Sequence, residues 1–587
     1  MIRSVVALLI ATAPAAALAQ KAPSFGHYAP ALQYKDAVVT SEYVTMRDGV
    51  RIAVSVTRPA IDGKPAPGRF PVIWTGSLDI RSPYKTGSIA AEDGTFSAFR
   101  GAYGVGSIVG HGYVLVTAAR RGSGASFGKR RGYQDRNEAH DAYEINEWAA
   151  RQPWSSGKTA IYGCSNTGEA VMHAMTVLPP SLKAVFAGCF NWNKFDGFTR
   201  GGMIANWGTG PSRTLEEDMK STPLEGDDDR VLLRQAAEEH QGASNLFDLM
   251  ASMPYRDSFS PLTFSRFWGE GSVSSYKPQL DTSKVATYIM GGWYDDFRAQ
   301  GLIAQANLPN RPKIIIGPWT HCATTGHEQL VATEVLRFFD QHLKGIDTGT
   351  TRDAPVHYFT INAPEGAGWR SAARFPLPGT QMRAFHLGGE NRLAAQPGKA
   401  AATSFTVRRE GKCPGAGGAA AQPCHIPGLG ASWSMGVAAD TEITGHPTVD
   451  LWIVSDAPDE HVFAYLEDVA PDGKVTVVTE GRLKASIRKV TPAPWDNAGL
   501  PWHRGYAEDA QSLTPGEPAP LQFAMLPASY VFRKGHRLQV TVTGWDPRER
   551  QAPKTASRIR ILNDEKHRST VTLPYAPAAY SAAVASR

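Results

Sequence analysis

The sequence predicts an α/β domain with a helical insertion, followed by an all-β domain, and three patterns predict it. First, six short, mostly apolar runs (71–74, 114–118, 159–162, 184–188, 285–290 and 313–316) alternate with segments of helical periodicity between residues 45 and 344. Near-continuous apolar runs of this length belong to parallel strands covered on both faces. Residues 141–150 carry apolar side chains at helical spacing and fill one crossover. Second, the strand pattern stops between about 191 and 282, where segments 215–219 and 231–239 are helical. That predicts an all-helical cap, residues 190–285, lying over the strand ends and shaping a pocket. Third, β-type runs at 356–360, 448–454, 461–465 and 537–543 are divided by Pro, Gly and Asp turns. They predict a β-sandwich or jelly roll over residues 351–587. The Ala/Gly/Pro-rich stretch 394–430 reads as a long loop or irregular hairpin within it.

Composition sets the bounds. A chain of 587 residues is too long for one core. With 42% hydrophobic and 20% charged residues it reads as globular. The net charge of +6 has no long basic block behind it, and Lys129-Arg130-Arg131 reads as a solvated loop, so no nucleic-acid partner is expected. At the amino terminus, Arg3, the apolar stretch 5–13 and Ala17-Leu18-Ala19 form a cleavable signal peptide over residues 1–19. That stretch is too short to span a bilayer. The expectation is an exported protein, periplasmic or secreted, with no membrane attachment after cleavage and with its oligomeric state left open. Cys413 and Cys424 can close a disulfide within one loop or remain two free thiols. Cys164, Cys189 and Cys322 read as small core residues. No His/Cys spacing suggests zinc, and neither a metal nor a cofactor is expected.

The chemistry centres on Gly163-Cys164-Ser165-Asn166-Thr167-Gly168, between an apolar strand and a helical run. A serine at a sharp strand-to-helix turn presents its hydroxyl at a helix mouth, where backbone N–H groups can hold an oxyanion. Downstream, Asp295 in Gly292-Trp293-Tyr294-Asp295-Asp296 and His321 in Gly317-Pro318-Trp319-Thr320-His321 each follow a short apolar strand. Reacting groups gather at that edge of an open α/β sheet. The chain order Ser, Asp, His is that of an α/β-hydrolase fold.

The Trp-Tyr-Asp and Gly-Pro-Trp-Thr-His stretches resemble the CocE/NonD family, which joins bacterial cocaine esterases, α-amino-acid ester hydrolases and the catalytic part of Xaa-Pro dipeptidyl peptidases. Gln152-Pro153-Trp154-Ser155-Ser156-Gly157-Lys158 is similar to its approach to the nucleophile strand, and the helix from Arg337 to Gly345 to the end of its catalytic domain. Ile443-Thr444-Gly445-His446-Pro447 and the segment from Leu466 to Gly473 are similar to its carboxy-terminal β domain. The likeness runs from about Ser41 to near the end. It implies a catalytic domain over residues 20–350 and a galactose-binding-like jelly roll after it. It also implies a serine hydrolase acting on a small ester or amide: Ser165 as nucleophile, His321 as base, Asp295 as its orienting acid. Asp296 is the rival acid, and His327 lacks the motif's setting. The oxyanion hole combines the Asn166 backbone N–H with the Tyr84 hydroxyl, the latter implied by the family's Pro-Tyr position.

Departures bear on specificity. Asn166 stands where the family usually has tyrosine, and Ala119 where it has aspartate before Arg120-Arg121-Gly122. That loss suggests a missing salt bridge or an altered loop. The acidic cluster that holds a substrate amine in amino-acid ester hydrolases is not evident, with Glu169 and Asp196 as the remaining acids. An esterase therefore leads a dipeptidyl peptidase or amino-acid ester hydrolase. A noncatalytic glycan- or surface-binding protein is the alternative from another class.

Overall fold

The computed structural model describes residues 23–77, 87–88, 108–204, 214–413, 422–549 and 556–577. Its larger sheet is built from β1 (Asp36–Thr45), β2 (Arg51–Ile61), β3 (Lys64–Pro65), β4 (Phe70–Ser77), β5 (Gly87–Ser88), β6 (Val114–Ala119), β7 (Ser155–Cys164), β8 (Leu182–Gly188), β9 (Ala286–Gly292), β10 (Lys313–Gly317), β11 (Val356–Phe359) and β12 (Trp369–Ala372). The spatial order is β12-β11-β10-β9-β8-β7-β4-β6-β2-β1-β5, with β3 beside β2. All the pairings from β6 through β4, β7, β8, β9 and β10 to β11 are parallel. The six apolar runs therefore form the parallel centre, as their patterning predicts.

Alternate residues of these strands serve two cores. Ile73, Leu115, Ala160, Phe186, Tyr288 and Ile315 face one side, under the helix Glu328–Phe339. Trp74, Val116, Ile161, Val185, Ile289 and Ile316 face the other. There they meet α1 (Arg136–Arg151) and α2 (Asn166–Met175). Burial on both faces is why these strands show no polar alternation. Truncating a core ring such as Phe186 would cost about 3–5 kcal/mol.

Between β8 and β9 run α3 (Lys194–Phe198), α4 (Leu215–Asp218), α5 (Val231–His240), α6 (Leu246–Ala251), α7 (Phe267–Glu270) and α8 (Lys277–Leu280). Among the described residues this segment holds no strand, in keeping with a helical insertion. Among the described residues, further α-helices are α9 (Arg298–Asn307), after β9, and α10 (Glu328–Phe339), after β10.

One sequence expectation changes. The run at 356–360 reads in sequence as part of the β domain, yet β11 pairs in parallel with β10, from Ile314↔Val356 to Ile316↔Tyr358. The helix α10 supplies the crossover that a parallel neighbour requires. Val356 and Tyr358 are buried against the larger sheet's core, so packing and not local β character decides where this run belongs.

The carboxy-terminal part contains a nine-stranded and a four-stranded sheet, and their pairings are antiparallel. Val449, Leu451 and Ile453 of one and Val462, Leu466, Val540 and Val542 of the other share a single core. Part of the stretch read as loop is a strand: Ala401–Thr406 pairs with Arg558–Asn563.

The two parts meet through buried polar contacts. Ile361 N–H donates to the Ser529 carbonyl at 2.9 Å, and Val531 N–H to that of Ile361 at 3.0 Å. Arg298 donates to the Pro527 carbonyl at 2.8 Å and to Thr479 Oγ1 at 3.0 Å. Arg200, from the insertion, lies 2.9 Å from Asp296 and 2.7 Å from Glu480 of the β domain. Burial opposes the charge on Glu480, but Arg200, Arg482 and Arg548 hold its carboxyl well below the usual range. Replacing Arg200 with Met strips Asp296 of this partner and Glu480 of one of three cations. Urea unfolding should report a loss of about 3 kcal/mol in stability.

Candidate active site

The end of β7 makes the turn its sequence predicts. Ser165 has φ 59° and ψ −127°, a backbone conformation rarely adopted by a non-glycine residue. Its N–H donates to the Gly188 carbonyl at 3.0 Å, and its own carbonyl accepts from Glu169 N–H at 2.8 Å. Thr167 Oγ1 receives the Cys164 N–H and donates to the Cys164 carbonyl, both at 2.8 Å. Two glycines make the turn possible. A Cβ on Gly163 would lie 2.3 Å from the Thr167 carbonyl oxygen, and one on Gly168 2.2 Å from that of Gly188.

Asn166 begins α2, so its N–H has no acceptor within the helix. Its carbonyl accepts from Arg120 Nη1 at 3.1 Å and Gln134 Nε2 at 2.9 Å. Arg120 lies 3.3 Å from Glu138, and Arg121 2.7 Å from both Asp141 and Asp48. The Ala119 departure has therefore not left this loop without ion pairs. The Arg120-Arg121 pair was legible in sequence as a motif, whereas Gln134 carried no signal.

Asp295 and His321 come together past the ends of β9 and β10. Asp295 is fully buried, and its carboxylate oxygens lie 3.2 and 3.3 Å from His321 Nδ1. The Phe297 N–H donates to it at 3.0 Å. Burial opposes ionisation of Asp295, but the His321 ring, its hydrogen bond, the Cys189 thiol and the Phe297 N–H together hold the carboxyl below its usual range. Phe297 also packs on the His321 ring at 5.5 Å and on Phe198 of α3 at 6.1 Å. Tyr133 meets Phe198 at 6.0 Å, which extends an aromatic wall that sequence reading missed.

Asp296, the rival acid, turns the other way to Arg200. His327 packs among Trp319, Phe359 and Trp369. The acids considered for amine binding have internal partners. Glu169 accepts from the Asn191 N–H at 2.8 Å and its side-chain amide at 2.6 Å. Asp196 accepts from Arg256 at 2.5 Å and from Trp502 at 3.1 Å. Tyr84 and residues 1–19 lie outside the described residues.

The cysteines depart from expectation. Cys413 and Cys424 form the loop disulfide, but Cys164 and Cys322 are also bonded, with Cα atoms 6.0 Å apart. Neither is a mere core filler: one precedes Ser165 and the other follows His321. Only a contact across 158 residues reveals the pair. Cys189 is buried and keeps a free thiol. Its sulfur joins two groups of potential metal-ligating atoms that lie within 4.8 Å, one with Cys164 and Cys322, the other with Asp295 and His321. In the first, two sulfurs are spent on each other. In the second, the Asp295–His321 hydrogen bond occupies the donors.

The depressed carboxyl of Asp295 has a definite sign in stability. Its unfolded value is about 3.9, so the stabilisation is complete above that pH and is lost as pH falls through the lower folded value. Urea titrations should show the stability advantage over Asp295→Asn shrinking below about pH 4. A constant difference would contradict the assigned environment.

Comparison with known proteins matches the chain to a family. Residues 48–323 match the model of the X-Pro dipeptidyl-peptidase S15 family, and residues 348–572 that of the X-Pro dipeptidyl-peptidase C-terminal non-catalytic domain. A protein of Mycobacterium bovis named as a serine esterase is 30% identical over 92% of this chain and 96% of its own. The cocaine esterase of a Rhodococcus species is 24% identical over 92% and 98%. A CocE/NonD family hydrolase from Staphylococcus aureus superposes with a TM-score of 0.69 at 20% identity, covering 92% of this chain and 94% of that one. The chain is an enzyme, a serine hydrolase belonging to the family that unites CocE/NonD esterases with the S15 peptidases.

Proposed function

We propose that the protein is an exported carboxylesterase that cleaves small esters through an acyl-enzyme on Ser165. Ser165 Oγ attacks the carbonyl carbon while His321 takes its proton, and the collapsing tetrahedral intermediate receives that proton on the leaving alcohol. Water then attacks the acyl carbonyl, His321 again accepting and returning the proton. Asp295 holds Nδ1–H of His321 and balances the imidazolium charge. The oxyanion is met by the Asn166 N–H and by the Tyr84 hydroxyl. The observation that carries this reading is the pair of buried Asp295 and half-buried His321, tied by Cys164–Cys322 to the strained Ser165 turn.

Ester over peptide follows from the acids. A dipeptidyl peptidase must anchor a free substrate amine, yet Asp196 and Asp296 each pair with an internal arginine, and Glu169 is buried with Oε1 bonded to Asn191 and Oε2 4.0 Å from Lys194. The amide reading is supported by the S15 family match. Export is supported by the amino-terminal pattern and by two disulfides, which persist in oxidising compartments.

Initial rates on p-nitrophenyl butyrate and on Ala-Pro-p-nitroanilide decide between them. The ester should turn over faster, and Ser165→Ala should abolish both activities. Preference for the anilide would overturn the esterase reading, and retained turnover in the variant would overturn Ser165. Tyr84→Phe should lower kcat by about 100-fold, as loss of one oxyanion donor does.

A further inference from the structure

We propose that the Cys164–Cys322 disulfide is a positioning element of the acyl-transfer site, holding the Ser165 turn and the His321 loop at one separation. The inference rests on the roles given to Ser165 and His321 above. Strands β7 and β10 are not neighbours, because β8 and β9 lie between them. Three strand spacings amount to about 14 Å. Cys164 ends β7, and Cys322 lies five residues past Gly317 at the end of β10, yet their Cα atoms are 6.0 Å apart. The loop after β10 must therefore run back across the ends of two strands to bring Cys322, the residue after His321, to the end of β7 where the Ser165 turn begins. Sheet hydrogen bonding fixes the strands but not the path of this loop. Tyr294 N–H on the Trp319 carbonyl and Asp295 on His321 hold the loop to the end of β9, and the disulfide carries it on to β7 at the residue after the histidine. Cys322 holds φ 55°, a left-handed conformation that favours glycine, so a side chain is kept where the backbone would prefer none.

Cys189 completes the arrangement. It follows β8, its sulfur lies within 4.8 Å of both bonded sulfurs, and its thiol donates to the Asp295 carboxylate. Disulfide exchange requires a thiolate. Burial and the adjacent Asp295 push the Cys189 thiol well above its usual range, which opposes its attack on the bonded pair. If only one cysteine of the pair were replaced, the survivor would face Cys189 as a new partner. A test must therefore remove both.

The experiment compares wild type, Ser165→Ala and Cys164→Ala/Cys322→Ala in p-nitrophenyl butyrate hydrolysis and in labelling by a fluorophosphonate. If Ser165→Ala keeps both activities, the underlying assignment fails, and this inference with it. With Ser165→Ala inert, the double variant should lose roughly 10- to 100-fold in kcat, the penalty of a small misplacement, with KM within about threefold. A kcat within about twofold of wild type would overturn the positioning role. Should the double variant fail to fold, native wild type treated with dithiothreitol serves instead. Two electrons and two protons pass to the S–S bond, leaving two thiols, and alkylation followed by mass spectrometry locates them. Activity should fall in step with opening of Cys164–Cys322, not of Cys413–Cys424, and return on reoxidation. Full activity with Cys164 and Cys322 alkylated would overturn the proposal.

Discussion

The turn at Ser165 depends on backbone approaching backbone without side chains between. Its positive φ costs about 1–3 kcal/mol and persists only where surroundings over-determine it. Here they do so from two directions. Gly163 brings β7 against the first turn of α2, and Gly168 brings α2 against the end of β8. The parallel sheet thus grips the serine through its own main chain, and the helix that follows starts with its open N–H groups beside the hydroxyl. The Cys164–Cys322 bond brings the loop that carries His321 to that point, and Phe198 of the insertion packs on Phe297 beside the histidine ring.

Two adjacent carboxylates show how burial separates tasks. Asp295 points inward to His321, with the Phe297 N–H and the Cys189 thiol satisfying what the imidazole does not. Asp296 points to Arg200, which also meets Glu480 of the β domain. One carboxylate orients the histidine, and its neighbour joins the contacts between the catalytic sheet, the insertion and the carboxy-terminal part. A buried charge without a partner is far more costly than a paired one, so each residue is committed to its side. The same economy applies to Glu169 and Asp196, whose internal partners leave them poorly suited to holding a substrate amine.

The parallel centre, the helical insertion and the antiparallel carboxy-terminal strands were legible because each imposes a local period on the sequence. Buried parallel strands are short apolar runs, and exposed turns need Gly, Pro or Asp. The elbow was legible for the same reason, since a positive-φ serine flanked by close-packed glycines has few alternatives. Asp295 and His321 could be chosen because each follows a strand, and chain order ranks them. Local pattern alone therefore settles the six central strands, the serine turn and the candidates for its chemistry.

Tertiary structure decided the rest, because the deciding contacts join residues far apart in the chain. The place of β11 was settled by a parallel partner and a crossover helix, although its composition suits either sheet. Asp295 leads Asp296 in sequence only through the Trp-Tyr-Asp resemblance; the fold shows directly that Asp295 meets the histidine and Asp296 meets Arg200. Cys164 and Cys322 are ordinary apolar-context cysteines until the loop after β10 crosses two strand ends. Gln134, whose amide holds the Asn166 carbonyl, has no local pattern at all. Periodicity reports which face of an element is buried, whereas a partner's identity depends on where another segment of the chain comes to rest.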